Sequence, residues 1–316
     1  MPQPVIAVVG PTAAGKSELA LGLARVLGGE VVNADSMQLY QGMDIGTAKL
    51  TPAQRQGVPH HLLDIWDIRQ AASVAEYQRL ARAAIDSIQH RGLVPVLAGG
   101  SGLYVRAALD PLEFPGTDPA LRARLEAELA RSGPAPLYAR LASADPVAAA
   151  AILPSNGRRI VRALEVIEVS GRPFSATMPR YESVYAVVQL GLSVDRAELD
   201  ARIADRTGAM FAAGLVGEVR RLERAGLREG RTAGRALGYA QVLRFLAGEY
   251  GEAEALAQTV LATRRFVRRQ ESWFRRDPRV TWLPAGAADA GDLLERALAT
   301  IGPCGSRRGT APRTTS

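Results

Sequence analysis

Residues 5–17 read Val5-Ile6-Ala7-Val8-Val9-Gly10-Pro11-Thr12-Ala13-Ala14-Gly15-Lys16-Ser17. A short apolar run ended by Gly-Pro is a buried strand. From about Ser17 to Leu27 the pattern is helical, and it stops at Gly28-Gly29. Between them, Gly10 to Ser17 matches GxxxxGK[ST], and its place between a strand and a helix is the context that motif requires. Glycines let backbone N–H groups turn inward around phosphate oxygens, and the helix N-terminus adds partial positive charge. Gly10, Pro11, Thr12, Ala13, Ala14, Gly15, Lys16 and Ser17 are therefore expected to bind phosphate. Lys16 supplies a mobile cation, and the Ser17 hydroxyl can join a Mg²⁺ shell. The loop implies phosphates without naming ATP. The third predicted strand ends Ala98-Gly99-Gly100, without the metal-binding Asp of a Walker B strand. Asp35, ending the second, is the only obvious carboxylate in such a position.

Working outward, Glu30 to Ala34 reads as the second strand. Ser73 to His90 is a capped amphipathic helix with an apolar face through Tyr77, Leu80, Ala84 and Ile88. Leu93 to Ala98 is the third strand, although Pro95 counts against a regular central strand. This alternation implies an α/β fold with a parallel sheet covered on both faces. After Asp110 the pattern changes. Pro111, Pro115 and Pro119 lead into an arginine-rich helical stretch as far as Gly171. A strand returns at Val184 to Leu192. Helices follow at about Arg196–Ala213, Val216–Ala225 and Ala253–Arg275, and Arg279 to Leu283 closes as a short strand. The expected division is a core over 1–112, a helical insertion over 113–182, a second part of the core over 183–302 and a disordered tail over 303–316.

The chain has 316 residues with a formal charge of +7, which favours an anionic partner such as nucleic acid or a phosphorylated small molecule. At 47% hydrophobic and 22% charged it has the apolar content for a core, which excludes a mainly disordered chain. The single cysteine, Cys304, excludes an intramolecular disulfide and a Cys-based zinc site. The run from Val5 to Val9 is too short for a membrane span or a signal-peptide core, so a soluble cytoplasmic protein is expected. Lys16 and Lys49 are the only lysines among 39 basic residues. Against such an arginine bias, a retained lysine is informative.

The segment Asn33-Ala34-Asp35-Ser36-Met37-Gln38-Leu39-Tyr40-Gln41-Gly42-Met43-Asp44-Ile45-Gly46-Thr47-Ala48-Lys49 closely resembles the signature of tRNA dimethylallyltransferases, also called tRNA isopentenyltransferases. Pro59-His60-His61-Leu62-Leu63-Asp64 is similar to that family's histidine motif, and Gly99-Gly100-Ser101-Gly102-Leu103-Tyr104 to the loop after its third strand. Arg158-Arg159-Ile160-Val161-Arg162-Ala163-Leu164-Glu165 resembles its insertion helix. Gly238-Tyr239 and the stretch Arg264 to Arg276 complete the set. The resemblance runs from about Pro4 to Leu283. It implies a P-loop-kinase-like parallel-sheet core with a helical insertion domain. It also implies transfer of a dimethylallyl group from dimethylallyl diphosphate to N6 of the adenosine beside the tRNA anticodon (tRNA position 37), assisted by Mg²⁺, in a monomer. Position 101, usually threonine in the family, is serine here, which keeps the hydroxyl and loses the methyl that restricts its rotamer. The zinc-finger extension of some eukaryotic members is absent, so a bacterial-type enzyme is expected.

The resemblance also assigns roles. An adenine N6 amine is a poor nucleophile and needs a proton acceptor as its new bond forms, and the family's base aligns with Asp35. Arg220, in Glu218-Val219-Arg220, is aligned with a diphosphate-binding arginine; the alternative is a solvated helix surface. Catalysis is thus expected from Asp35, Ser101, Lys16 and Arg220. RNA contact is expected from Asp35, Ser36, Met37, Gln38 and Ser101, from Arg122, Arg158, Arg159, Ile160, Val161 and Arg162, and from Ala236, Leu237, Gly238, Tyr239, Ala240 and Gln241. Arg264, Arg265, Arg268, Arg269, Arg275 and Arg276, interleaved with Phe266, Trp273 and Phe274, suit a backbone-gripping helix. His60 and His61 read as structural, since adjacent side chains do not normally converge on a metal. The competing functions are a P-loop kinase or ATPase, prenylation of free adenine nucleotides, and a non-catalytic RNA-binding protein.

Overall fold

Strand β1 (Val5–Val9) is buried at every position and lies inside a six-stranded parallel sheet. The computed structural model describes residues 2–177, 181–289 and 291–302. The other strands are β2 (Gly29–Asn33), β3 (His60–His61), β4 (Val94–Gly99), β5 (Val187–Ser193) and β6 (Val280–Pro284), in the spatial order β3-β2-β4-β1-β5-β6. Both of β1's neighbours arrive by crossover: Ile6 pairs with Val96 of β4 and with Val188 of β5. The strand order reverses beside β1, and α/β folds form their ligand crevice at the carboxyl ends of strands there. The loops leaving β1, β2 and β4 therefore begin with Gly10, Ala34 and Gly100.

Helices cover both faces. Helix α1 (Lys16–Leu27) buries Leu19, Ala20, Leu23 and Ala24 against Ile6, Val8, Val31 and Val96, with Leu190 and Leu192 of β5 in the same cluster. Burying each leucine contributes about 1.5–3 kcal/mol. Helix α2 (Val74–His90) begins where Ser73 accepts the Glu76 N–H, and it packs on β2 and β4 through a face that includes Tyr77, Ala81, Ile85 and Ile88.

The third strand forms where the sequence placed it, and Pro95, which counted against a regular central strand, lies within it. It is the second residue of β4, and the pairing of β4 with β1 starts one residue later, at Val96. A missing N–H is tolerated at such a strand start. The sequence reading also passed over β3 and three short helices: α3 (Gly102–Leu109), α10 (Tyr239–Leu246) and α12 (Leu293–Ile301), the last packed against α1.

The chain divides into two compact units, one of them Asp110–Glu182 and the other formed by the sequence on either side of it. Inside the former, the helical stretch is broken into α4 (Pro119–Ser132), α5 (Pro134–Ala144), α6 (Pro146–Ala151) and α7 (Gly157–Ser170). Asp118, Asp145 and Asn156 cap α4, α6 and α7 with their side chains, and α4, α5 and α6 each start on a proline, the residue whose missing N–H costs nothing there. Leu125, Leu137, Leu141, Ile160 and Leu164 form this unit's own core. The remaining helices are α8 (Arg196–Ala212), α9 (Leu215–Arg224) and α11 (Glu252–Phe274), all in the larger unit. No described helix is long and apolar enough to cross a membrane. The expected disorder of 303–316, including Cys304, lies outside the described residues.

Candidate active site

The phosphate loop is shaped by positive φ angles at Gly10 (132°), Ala13 (64°) and Gly15 (92°). A Cβ at Gly10 would press on the Leu192 carbonyl oxygen at 3.0 Å, so the strand-to-loop turn requires glycine. No side chain caps α1, whose N-cap is Gly15. That leaves first-turn N–H groups available for an anion. Lys16 Nζ donates to the Pro11 carbonyl at 2.6 Å. Burial lowers the Lys16 pKa to about 8; the Asp35 carboxylate opposes this and Arg206 adds to it.

Asp35 follows β2, and its placement is tightly held. Asn33 Oδ1 accepts the Asp35 N–H at 2.9 Å and Asn33 Nδ2 donates to the Asp35 carbonyl at 3.0 Å. Asp35 Oδ1 accepts the Met37 N–H at 2.9 Å. Two cavities meet at this carboxylate. One, of about 370 Å³, lies over Gly15, Lys16 and Ser17 and is also lined by Asn33, Gln38 and His60. The other, of about 340 Å³, runs past Ser101 to Ile203, Thr207, Met210, Ala236, Leu237, Gly238 and Phe266, with Arg235 and Arg269 on it. Thr12, Ala13, Asp35, Thr47 and Arg206 line both. Each cavity is the size of a small-molecule site.

Arg206 is the residue that sequence reasoning missed. It shares one face of α8 with Ile203, Thr207 and Met210, at the i, i+3, i+4, i+7 spacing of a single helical stripe. Burial lowers its pKa while Asp35 opposes the shift, so a cation stands beside the carboxylate in a desolvated site. Arg220 does not reach this place: it is exposed on α9 and lines neither cavity. The sequence expected diphosphate binding at Arg220; the arginine that lines both cavities is instead Arg206. In Glu218-Val219-Arg220 the inward residues are Glu218 and Val219, and positions two apart on a helix, such as Glu218 and Arg220, face different ways. Glu218 is 1% exposed and accepts the N–H groups of Asp44 (3.2 Å), Ile45 (2.8 Å) and Gly46 (3.2 Å) together with the Tyr239 hydroxyl (2.5 Å). Burial, and then this carboxylate, hold the Tyr239 pKa far above its ordinary value.

The signature segment closes over the cleft through similar fixings. Lys49 is buried with Nζ between Asp44 (2.8 Å) and Asp64 (2.5 Å) and donating to the Tyr40 carbonyl. Gln38 donates to the Thr47 carbonyl at 3.1 Å. Ser36 and Met37 line the second cavity. His60 donates from Nδ1 to the Val58 carbonyl, and His61 Nε2 lies 2.6 Å from Glu30 Oε2. Arg91, then His61, hold the Glu30 pKa at about 2 against the opposing effect of burial. The histidine motif thus straps the β3 edge of the sheet, and among the described residues no acidic, histidine and cysteine side chains cluster as a metal site.

Several expected RNA contacts are occupied elsewhere. Ile160 and Val161 lie in the core of the Asp110–Glu182 unit, and Tyr239 is fully buried against Glu218. Ala240 is half-buried beside it, and Gln241 accepts the Gly238 N–H at 2.9 Å as the cap of α10. Arg122 and Arg162 converge on the fully buried Glu165 at 2.6 and 2.9 Å. Burial pushes the Glu165 pKa up, and the hydrogen bonds from the two arginines outweigh it, for a net lowering. Arg158 and Arg159 are exposed with no carboxylate partner among the described residues. On α11, Arg264 turns inward to Asp200, while Arg265, Arg268 and Arg269 are exposed, as are Arg275 and Arg276 just beyond its end.

An uncapped helix start, two cations and one carboxylate thus stand around two adjoining cavities at the carboxyl ends of a parallel α/β sheet. Residues 38–277 match the family model described as IPP transferase. The chain belongs to that family. It is 68% identical over 302 residues to the tRNA dimethylallyltransferase of Thermobifida fusca, covering 94% of each chain. It is 69% identical over 297 residues to that of Streptomyces avermitilis, covering 94% of this chain and 95% of the other. The crystal structure of the full-length tRNA isopentenylpyrophosphate transferase of Bacillus halodurans superposes with a TM-score of 0.70 at 38% identity, over 96% of this chain and 98% of that one. A eukaryotic dimethylallyltransferase acting on tRNA superposes with a TM-score of 0.81 at 25% identity, over 93% and 77%.

Proposed function

We propose that the chain transfers the dimethylallyl group of dimethylallyl diphosphate to N6 of the adenosine at tRNA position 37, releasing diphosphate. The observation that carries this reading is the junction itself: Asp35 sits where the phosphate-loop cavity meets the cavity leading past Ser101, with Lys16 and Arg206 close to it. Diphosphate lies on the N–H groups that open α1, held by Lys16 and Arg206. The adenine, taken out of its stack, enters beside Ser36, Met37 and Leu237. As the N6–C bond forms, the allylic C–O bond breaks and its electron pair passes to diphosphate. The N6 proton goes to Asp35, whose Oδ1 is fixed by the Met37 N–H, which leaves Oδ2 to take it. Charge growing on the leaving oxygens is stabilised by the two cations and the loop amides, already in place. Thr12 and Ser101 present hydroxyls to the same space.

The residues suit Mg²⁺, which prefers oxygen ligands and keeps several from water and substrate phosphates. Ser17 opens onto the phosphate-loop cavity and would hold it together with diphosphate oxygens. When bound, the ion would neutralise leaving-group charge. The exposed arginines of α11, with Arg235 and Arg269 on the second cavity, supply an anionic-polymer surface that a free nucleotide would not need. The reading takes the enzyme to act as a monomer in the cytoplasm, on tRNA. The test is incubation with dimethylallyl diphosphate and unmodified tRNA, followed by mass spectrometry of the nucleosides, beside parallel reactions with free AMP and with ATP plus a small acceptor. Prenylated AMP with unmodified tRNA would overturn the reading.

A further inference from the structure

Gln270 lies on the buried face of α11, one turn from Val267 and Phe274, and is 6% exposed. Its two polar ends are spent on two different loops of the cleft. Oε1 accepts the Thr12 N–H at 3.0 Å, and Nε2 donates to the Gly100 carbonyl at 2.8 Å. Thr12 belongs to the phosphate loop, and Gly100 immediately precedes Ser101. One planar group therefore spans the loops that follow β1 and β4. The space between them is closed on both sides: a Cβ at Gly100 would collide with Gln270 Nε2 and come within 3.2 Å of the Gly10 carbonyl oxygen. Only a side chain with an acceptor at one end and a donor at the other satisfies both loops. A partner left unmet in so buried a position is costly.

We propose that Gln270 is a positioning residue for the transfer: by joining Thr12 to Gly100 it sets the spacing of the Thr12 and Ser101 hydroxyls across the reacting group. It touches neither substrate and acts through these two loops. The inference rests on the functional reading above. Reactive geometry is sensitive to sub-ångström placement, so loss of the span is expected to lower kcat while leaving the RNA surface as it was.

The experiment uses Gln270→Glu in the full chain and compares its kcat with that of wild type from pH 8 down to pH 6. Burial raises the introduced carboxyl's pKa. Ionised, it turns an acceptor toward the Gly100 carbonyl; protonated, it donates there as the amide does. Groups common to both proteins cancel in the ratio. At pH 8 kcat is expected to fall roughly 10- to 100-fold, about the effect of one misplaced polar contact. The ratio to wild type should recover as pH falls, with the Kd for tRNA unchanged. Gln270→Met fills the space with neither end and should show the same loss with no pH-dependent recovery. A ratio flat with pH, wild-type kcat in Gln270→Met, or an equal loss of tRNA affinity would overturn the proposal. An inactive wild type would instead remove the functional reading on which it rests.

Discussion

Arg206 and the pair Arg122 and Arg162 are all arginines on helices next to a carboxylate, yet they do opposite work. In the cleft, Arg206 stands near Asp35 with no carboxylate within ion-pair distance among the described residues, and burial works against its charge. In the Asp110–Glu182 unit, Arg122 and Arg162 are spent on Glu165, Arg124 on Glu168, Arg140 on Glu128 and Glu168, and Arg172 on Glu113. A desolvated cation without a fixed anion is prepared for an anionic ligand, whereas one already paired holds its own fold together. Partnering, rather than the density of basic residues, separates the two uses.

The largest break in the cleft comes from its anion. Asp35→Asn keeps the Met37 contact, because the amide oxygen still accepts, but it removes the proton acceptor. Turnover should fall at least ~10²-fold, the scale of lost general-base catalysis, with tRNA binding retained. Single-turnover rates near wild type would remove Asp35 from the base role. The next test separates the two arginines directly. Arg206→Ala should lower kcat/KM for dimethylallyl diphosphate by roughly 10- to 150-fold, the equivalent of one charged hydrogen bond. Arg220→Ala, on an exposed face, should change it less than about twofold. Equal losses in the two variants would return Arg220 to the site.

Lys16 shares the desolvation of Arg206 but titrates within reach. Its pKa of about 8 means that the phosphate-binding charge is complete below pH 8 and is lost above it. If the charged form alone binds diphosphate, kcat/KM should fall about tenfold per unit above pH 8, and tRNA binding should not follow it. The stability sign is the reverse of an ion pair's. The folded pKa lies below the ordinary 10.5, so the unfolded chain holds more protons between about 8 and 10.5, and this group's contribution to stability rises with pH across that window. Below pH 8 the partly buried charge works against folding. Lys16→Met should therefore melt higher than wild type at pH 7 while failing to use the diphosphate; a lower melting temperature would contradict the desolvated state of Lys16.

The strand–loop–helix of Val5 to Leu27 was legible because its spacing carries backbone chemistry that needs no tertiary partner. Asp35 was legible for a related reason, since the end of a parallel strand places a residue at the crevice whatever surrounds it. Arg220 misled because a motif window has no facing: Glu218, two positions earlier, turns into the protein and Arg220 turns out. The α8 stripe that includes Ile203, Arg206, Thr207 and Met210 did carry the signal for Arg206, as an arginine on an otherwise inward-facing row. Ile160 and Val161 are the same lesson inverted, core positions swept up with the basic residues beside them. Gln270 left no sequence signal, because its partners are 258 and 170 residues away along the chain.

Within the Asp110–Glu182 unit, Glu165→Gln tests the paired state. It leaves Arg122 and Arg162 without their buried anion, and the arginines are 39% and 30% exposed, so water can take up part of the loss. Destabilisation of about 1–3 kcal/mol is expected by urea unfolding, with prenyl transfer by the remaining folded enzyme little changed. A gain in stability would mean that the buried ion cluster costs more in desolvation than it returns.

The finest distinction lies between unpaired and paired arginines on this same unit. Arg158 and Arg159 open α7 with no carboxylate partner among the described residues, whereas Arg124 and Arg140 are held by Glu128 and Glu168. A free guanidinium that meets a phosphate releases a counterion, and removing one such phosphate interaction should reduce the salt dependence of log K by about one unit. Replacing Arg158 and Arg159 together by Gln should therefore flatten the salt slope of tRNA binding by up to about two units. Replacing Arg124 and Arg140 by Gln should leave that slope unchanged and instead lower stability slightly, since exposed pairs contribute about 0–1 kcal/mol. Titrations of labelled tRNA at several salt concentrations read both variants on one scale. If the Arg124/Arg140 variant flattens the slope as much as the Arg158/Arg159 variant, RNA draws arginines out of their ion pairs on binding, and pairing in the free protein no longer marks which of them the RNA uses.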